Sequence, residues 1–194
     1  MITLASLLAS LLISPAQATD HPVFLPQHDL AATYLLAAPG RPDATYDLQY
    51  DAAGERARIT DPLRGLTFLV DLPSGRAELV VPALHAIVEA PDISGLAGQI
   101  RDAGGARFLP VGAGRYAGLA CDKYEVLAAQ GSGNACLTPD GVILHFAGRD
   151  AHGAASVTAV SVRYEHQPDG YFEVPDGYSR LVLPPGAIAQ LLGG

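Results

Sequence analysis

The chain has 194 residues, of which 49% are hydrophobic, and 12 Lys and Arg stand against 20 Asp and Glu for a net charge of −8. The only lysine is Lys123. This balance excludes nucleic acid and anionic lipid surfaces as partners, because both recruit clustered Lys and Arg.

Residues 1–18 carry no charged side chain, run apolar from Leu4 to Ile13 and close on Ala16-Gln17-Ala18. That small-x-small ending marks a secretory leader cut after Ala18. A membrane-spanning helix needs roughly 18 or more apolar residues, and Ser10, Ser14 and Pro15 break this run. The mature protein is therefore expected free in the periplasm or the medium, with no spanning segment.

Residues 19–29 form an extended N-terminal arm, in which Pro22 and Pro26 exclude a central strand. The rest, 30–194, reads as one domain. Strands are expected over Leu30 to Ala37 and Thr45 to Asp51, where Tyr46, Leu48 and Tyr50 alternate with polar residues. Further strands follow over Arg56 to Thr60, Leu66 to Asp71, Arg76 to Val81 and Leu84 to Glu89. Their short connections force antiparallel neighbours. Asp92 to Ala103 is expected as a helix with Ile93, Leu96 and Ile100 on one face, ended by Gly104-Gly105. Strands resume over Lys123 to Ala129, Val142 to Ala147, Ala155 to Glu165 and Ser179 to Leu183, and Pro185 to Leu192 reads as a short helix. No repeat of fixed period is read. The fold class is mainly β (α+β): a large curved antiparallel sheet or incomplete barrel, with one or two short helices covering its apolar side.

Cys121 and Cys136 are the only cysteines, and an isolated pair in an exported chain is expected to form a disulfide. The spacing is too wide for a redox Cys-x-x-Cys, and zinc would need further ligands close by. Pro139-Asp140-Gly141, Pro168-Asp169-Gly170 and Pro175-Asp176-Gly177 are turn chemistry. Gly131-Ser132-Gly133-Asn134 reads as a hairpin loop and Gly112-Ala113-Gly114 as a loop. Of the six histidines, His145 and His152 with Asp150 form the best metal candidate, but the spacing favours solvated or singly bonded rings. No metal, cofactor or catalytic group is assigned.

Four stretches together resemble the DUF4412-type exported bacterial proteins of unknown function, which are related in fold to the periplasmic lipoprotein-carrier (LolA-like) half-barrels. They are Gly54-Glu55-Arg56-Ala57-Arg58-Ile59 with Phe68-Leu69-Val70-Asp71; Val80-Val81-Pro82 leading to Val88-Glu89-Ala90-Pro91; residues 117–124 with 135–142, around the two cysteines; and residues 172–178. The resemblance implies a half-barrel whose concavity suits an acyl chain or a partner segment, with no catalytic residue to carry over. Arg56 and Arg58 share a strand face and form a potential carboxylate or phosphate clamp. The expected ligand-facing set is Arg56, Arg58, Phe68, Ile93, Leu96 and Ile100. The leading reading is a non-catalytic protein binding a lipid or acylated protein on its concave face. The alternatives are an envelope interaction or sensing module that pairs through a sheet edge, and, more remotely, a hydrolase.

Overall fold

The computed structural model describes residues 21–89, 96–129, 131–150 and 153–184. The expected leader, Ile93 and the expected C-terminal helix lie outside the described residues. The chain forms β1 (Leu30–Ala37), β2 (Ala44–Asp51), β3 (Arg56–Asp61), β4 (Leu66–Asp71), β5 (Arg76–Val81), β6 (Ala86–Glu89), α1 (Leu96–Gly104), β7 (Arg107–Tyr116), β8 (Leu119–Ala128), β9 (Gly131–Leu137), β10 (Ile143–Asp150), β11 (Gly153–Tyr164) and β12 (Ser179–Val182). All twelve strands belong to one open sheet, ordered β12-β6-β5-β4-β3-β2-β1-β11-β10-β9-β8-β7.

Two meanders, β1 to β6 and β7 to β11, are joined where β1 pairs antiparallel with β11. The expected antiparallel sheet is present, with one parallel pair at an edge, where the connection is long. After β11 the chain crosses the sheet, and β12 returns parallel to β6, with Leu181 opposite Val88. At the other edge β7 stands four places from β11, yet it touches both β10 and β11. That end of the sheet therefore rolls onto itself.

Residues paired across strands share a face, because side chains alternate. One row runs Ala32, Leu48, Ile59, Phe68, Leu79, Val88 and Leu181 across seven strands. The adjoining row is Leu30, Tyr50, Ala57, Val70 and Ala77, whose alanines leave room for a helix. Helix α1 takes that room, packing on β4 and β5 with Ala97 fully buried. The opposite face carries the row Asp51, Arg56, Asp71 and Arg76, whose signs alternate. Unlike charges opposite one another stabilise a sheet, and like charges would do the reverse.

The expectation of no fixed repeat is corrected. Asp51, Asp61 and Asp71 end three successive strands ten residues apart, and each accepts N–H bonds from the turn that follows: Ala53 and Gly54, Leu63 and Arg64, and Ser74. Each turn closes in the left-handed region, at Glu55 (φ 48°), Gly65 (φ 64°) and Gly75 (φ 71°). The repeat lies in turn chemistry while the strand residues differ, so hydropathy does not display it.

Both glycine-rich loop readings are overturned. Gly112 and Gly114 lie inside β7, and Gly131 and Gly133 inside β9. A Cβ on Gly133 would stand 2.6 Å from the Ala147 carbonyl oxygen, and one on Gly114 2.6 Å from Lys123 Cε. These glycines permit close approach between packed strands where a turn was expected. Strand β6 begins two residues later than expected, because Pro82–Leu84 forms a 3₁₀ turn that His85 closes at φ 45°. Of the three Pro-Asp-Gly triplets, 139–141 and 175–177 form turns, and 168–170 opens a 3₁₀ turn over Asp169–Phe172.

Cys121 and Cys136 are buried and form the expected disulfide, with Cα atoms 5.4 Å apart across a separation of 15 residues. Closing a loop of that length stabilises by about 3 kcal/mol on the chain-entropy model. The double variant C121A/C136A should lose about that much in urea denaturation, and dithiothreitol should destabilise the wild type but not the variant. Leu79→Ala, at a fully buried position of the apolar row, should cost about 2–5 kcal/mol in the same assay.

Candidate functional site

Among the described residues, α1 and the N-terminal arm both pack over the apolar face. The arm enters the core because it is apolar where it meets it: Leu25 packs into the main cluster, and the Phe24 ring lies 6.0 Å from that of Phe108. Gly104, near the end of α1, meets the Phe24 ring at 3.3 Å from an ideal Cβ position. Gln27 N–H donates to the Asp140 carbonyl at 3.0 Å, which uses the first Pro-Asp-Gly turn as an anchor.

Asp29 locks the arm to the sheet. One carboxylate oxygen accepts the Ala52 N–H at 2.9 Å; the other accepts the Gln167 N–H at 3.2 Å and lies 3.0 Å from His166 Nδ1. The Ala52 bond, followed by those to Gln167 and His166, outweighs burial and holds the Asp29 carboxyl below the usual carboxylate range. His28 instead sets its ring edge-on to Tyr164.

Between the arm and the helix a cleft of about 570 Å³ remains. Its walls include Phe24 and Leu25 from the arm, Tyr50 and Glu55 from the second hairpin, and Ile100 and Arg101 from α1. Tyr50 is 4% exposed, and its hydroxyl has no hydrogen-bond partner among the described residues. Burial, then the Glu55 and Asp51 charges, push the phenol up to about 12, so it is a neutral donor at physiological pH. Arg101 and Glu55 both have exposed side chains, and neither makes an ion pair among the described residues. A volume of this size lies in the ~300–1,000 Å³ range of small-molecule sites.

The expected ligand-facing residues divide between the two faces. Phe68 and Ile100 pack against the main apolar cluster beneath the helix. Leu96 begins α1, and Ile93 lies outside the described residues. Arg56 and Arg58 lie on the opposite face, in the rows of Asp51 and Gln49. There Arg56 donates to Asp51 at 2.8 and 2.5 Å and to Asp169 at 2.6 Å, and its guanidinium carbon sits 5.0 Å from the centroid of the Phe172 ring. Arg58 donates to the Tyr171 carbonyl at 3.1 Å. Both arginines thus bind the crossing segment that leads to β12. Sequence reading missed Tyr50, Glu55 and Arg101 as cleft residues; the available signal was the Val23-Phe24-Leu25 run in an arm that had no strand to join.

His145, from the metal candidate, bonds Thr158 Oγ1 through Nδ1 at 2.8 Å and stacks on Tyr116 with ring centroids 4.8 Å apart. Burial and then Lys123 lower its pKa. Its neutral form is accordingly favoured. His152 and the Asp150 side chain lie outside the described residues.

No protein-family model matches the chain, and no curated protein sequence matches it. Among solved structures, the chain is similar to an uncharacterized conserved protein from Thermus thermophilus. The identity is 11% and the TM-score 0.58, over 81% of this chain and 91% of that one. That likeness shows a shared fold. The chain is also similar to MucB, solved in complex with MucA(peri), at 15% identity and TM-score 0.45, over 78% of this chain and 55% of that one. The chain therefore spans about half the length of that MucB. A LolA superfamily protein from Nitrosomonas europaea matches at 12% identity and TM-score 0.41, over 78% of this chain and 92% of that one.

The lowered Asp29 pKa makes its contribution to stability present above the ordinary carboxylate range and lost as pH falls through the folded value. Asp29→Asn should therefore cost about 1–3 kcal/mol at pH 7. The gap to wild type should close as pH drops below about 4, as read from urea midpoints across pH.

Proposed function

We propose that this chain is an exported, non-catalytic binding protein that holds the apolar part of a lipid or an acylated protein in the cleft between the arm and α1. The observation that carries this reading is the cleft itself: helix and arm cover the apolar face without filling it, and Phe24, Leu25 and Ile100 line what is left. In this reading Phe68 extends the apolar surface around the ligand, and the sequence pattern assigns Ile93 and Leu96 to the same ligand-facing set. Residues 1–18 act as the leader, cut after Ala18. The disulfide accords with an oxidising compartment. The likeness in fold to LolA-like proteins and the four DUF4412-type stretches support the same class.

A second reading, pairing with an envelope protein through a sheet edge, is favoured by one strand. The four residues of β12 are all exposed, with Val182 at 79%. The other edge is a poor template: β7 carries Pro110, which has no N–H, and a register shift between Pro110 and Gly112.

Native mass spectrometry of protein purified from the periplasm tests both. The cleft reading expects a stoichiometric lipid-sized adduct that is released by solvent extraction, lost in Ile100→Asp and kept in Val182→Asp. Bare polypeptide mass in a folded preparation overturns it, and an added protein mass lost in Val182→Asp establishes the edge instead.

A further inference from the structure

Glu55 occupies an unusual position. In the three ten-residue hairpin repeats the left-handed residue is glycine at positions 65 and 75, but glutamate at 55. A side chain in that region strains the backbone, where glycine would not. The strained residue is also the one of the three that lines the cleft. Backbone strain of this kind gathers at binding and catalytic sites, where the side chain itself is needed.

A second, independent observation stands beside it. Tyr50 lines the same cleft, and its hydroxyl is buried with no hydrogen-bond partner among the described residues. A buried hydroxyl without a partner is costly and calls for an explanation, which a bound ligand would supply. Arg101, on the helix side of the cleft, supplies a guanidinium that no carboxylate in the described residues occupies. The lining of the cleft thus offers a carboxylate, a guanidinium and a neutral phenol. The two charges do not pair with each other across the opening.

Resting on the binding reading above, we infer that the cleft takes a zwitterionic amphiphile, with an ammonium facing Glu55, a phosphate or carboxylate facing Arg101 and the Tyr50 hydroxyl, and a single apolar chain running along Phe24, Leu25 and Ile100. An anion alone would meet Glu55 as a like charge, and a cation alone would meet Arg101. A head carrying both signs satisfies both walls and the orphan hydroxyl. It also agrees with the acidic balance of the chain, which disfavours purely anionic surfaces.

Isothermal titration calorimetry on the mature protein tests this with four single-chain probes below their micellar concentrations. They are lysophosphatidylethanolamine (ammonium and phosphate), 2-aminododecanoic acid (ammonium and carboxylate), laurate (anion only) and dodecyl maltoside (uncharged). At least one zwitterion should bind about tenfold tighter than laurate and maltoside, and Tyr50→Phe, Glu55→Gly and Arg101→Gln should each weaken that zwitterion about tenfold while leaving maltoside unchanged. The better of the two zwitterions identifies the anion. Tyr50→Phe and Glu55→Gly should melt no lower than wild type, because one removes an orphan hydroxyl and the other relieves a strained backbone. That separates lost recognition from lost fold. Equal binding of all four probes, indifferent to the variants, overturns the headgroup inference and leaves the apolar-ligand reading standing; no binding by any probe overturns both.

Discussion

The pairing of β1 with β11 is the interaction on which the rest of this molecule depends. Each meander alone would expose the edge it presents to the other, and an unpaired edge is a liability as well as a loss of ladder bonds. Joined along Leu30–Ala37, they place Leu30 and Ala32 in the core, and the two apolar faces become one surface. Asp29 stands one residue before this seam. Its carboxylate gathers the Ala52 turn from one side and Gln167 of the crossing segment from the other. One ionised side chain thereby fixes where the arm ends, where the second hairpin turns and where the chain leaves β11.

An open sheet this wide has more apolar surface than one nine-residue helix can cover. Among the described residues the arm adds to that cover, which explains why a proline-bearing segment unable to join the sheet carries Val23, Phe24 and Leu25. Cover by two separate pieces leaves a gap where they fail to meet, and the cleft lies there. On the opposite face the same economy holds. The crossing segment is held by Arg56, Arg58 and the Phe172 ring, and at the edge Arg180 ties β12 to Glu78, at 2.6 Å, and to Glu89.

Much of the architecture was legible in the chain. Alternation at Tyr46, Leu48 and Tyr50 marked β2, and short Asp- and Gly-bearing turns marked the hairpins of the first meander, because both signals are local. The two loop readings that failed did so where glycine has two physical uses. At Gly114 and Gly133 its lack of a side chain permits packing inside a strand, whereas at Gly65 and Gly75 its freedom in φ closes a turn. Composition alone does not tell these apart. The paired arginines were correctly placed together on one face of β3. Asp51, five residues from Arg56, is a local partner, but Asp169, Tyr171 and Phe172 come from more than a hundred residues away, so their engagement of the pair left no signal near it in the chain.

What the sequence by itself determined is the mainly β class, the strands of the first meander, the two faces of each strand and the pairing of its only two cysteines. Each follows from side-chain alternation, from turn chemistry within a few residues, or from there being no other thiol to choose. The tertiary structure alone decided the seam between β1 and β11, the parallel return of β12, the arm's descent into the core and the meeting of Tyr50, Glu55 and Arg101 around one cleft. These rest on contacts between distant segments, and the closure of a long loop depends on what its ends bury together and leaves no period in the residues between them.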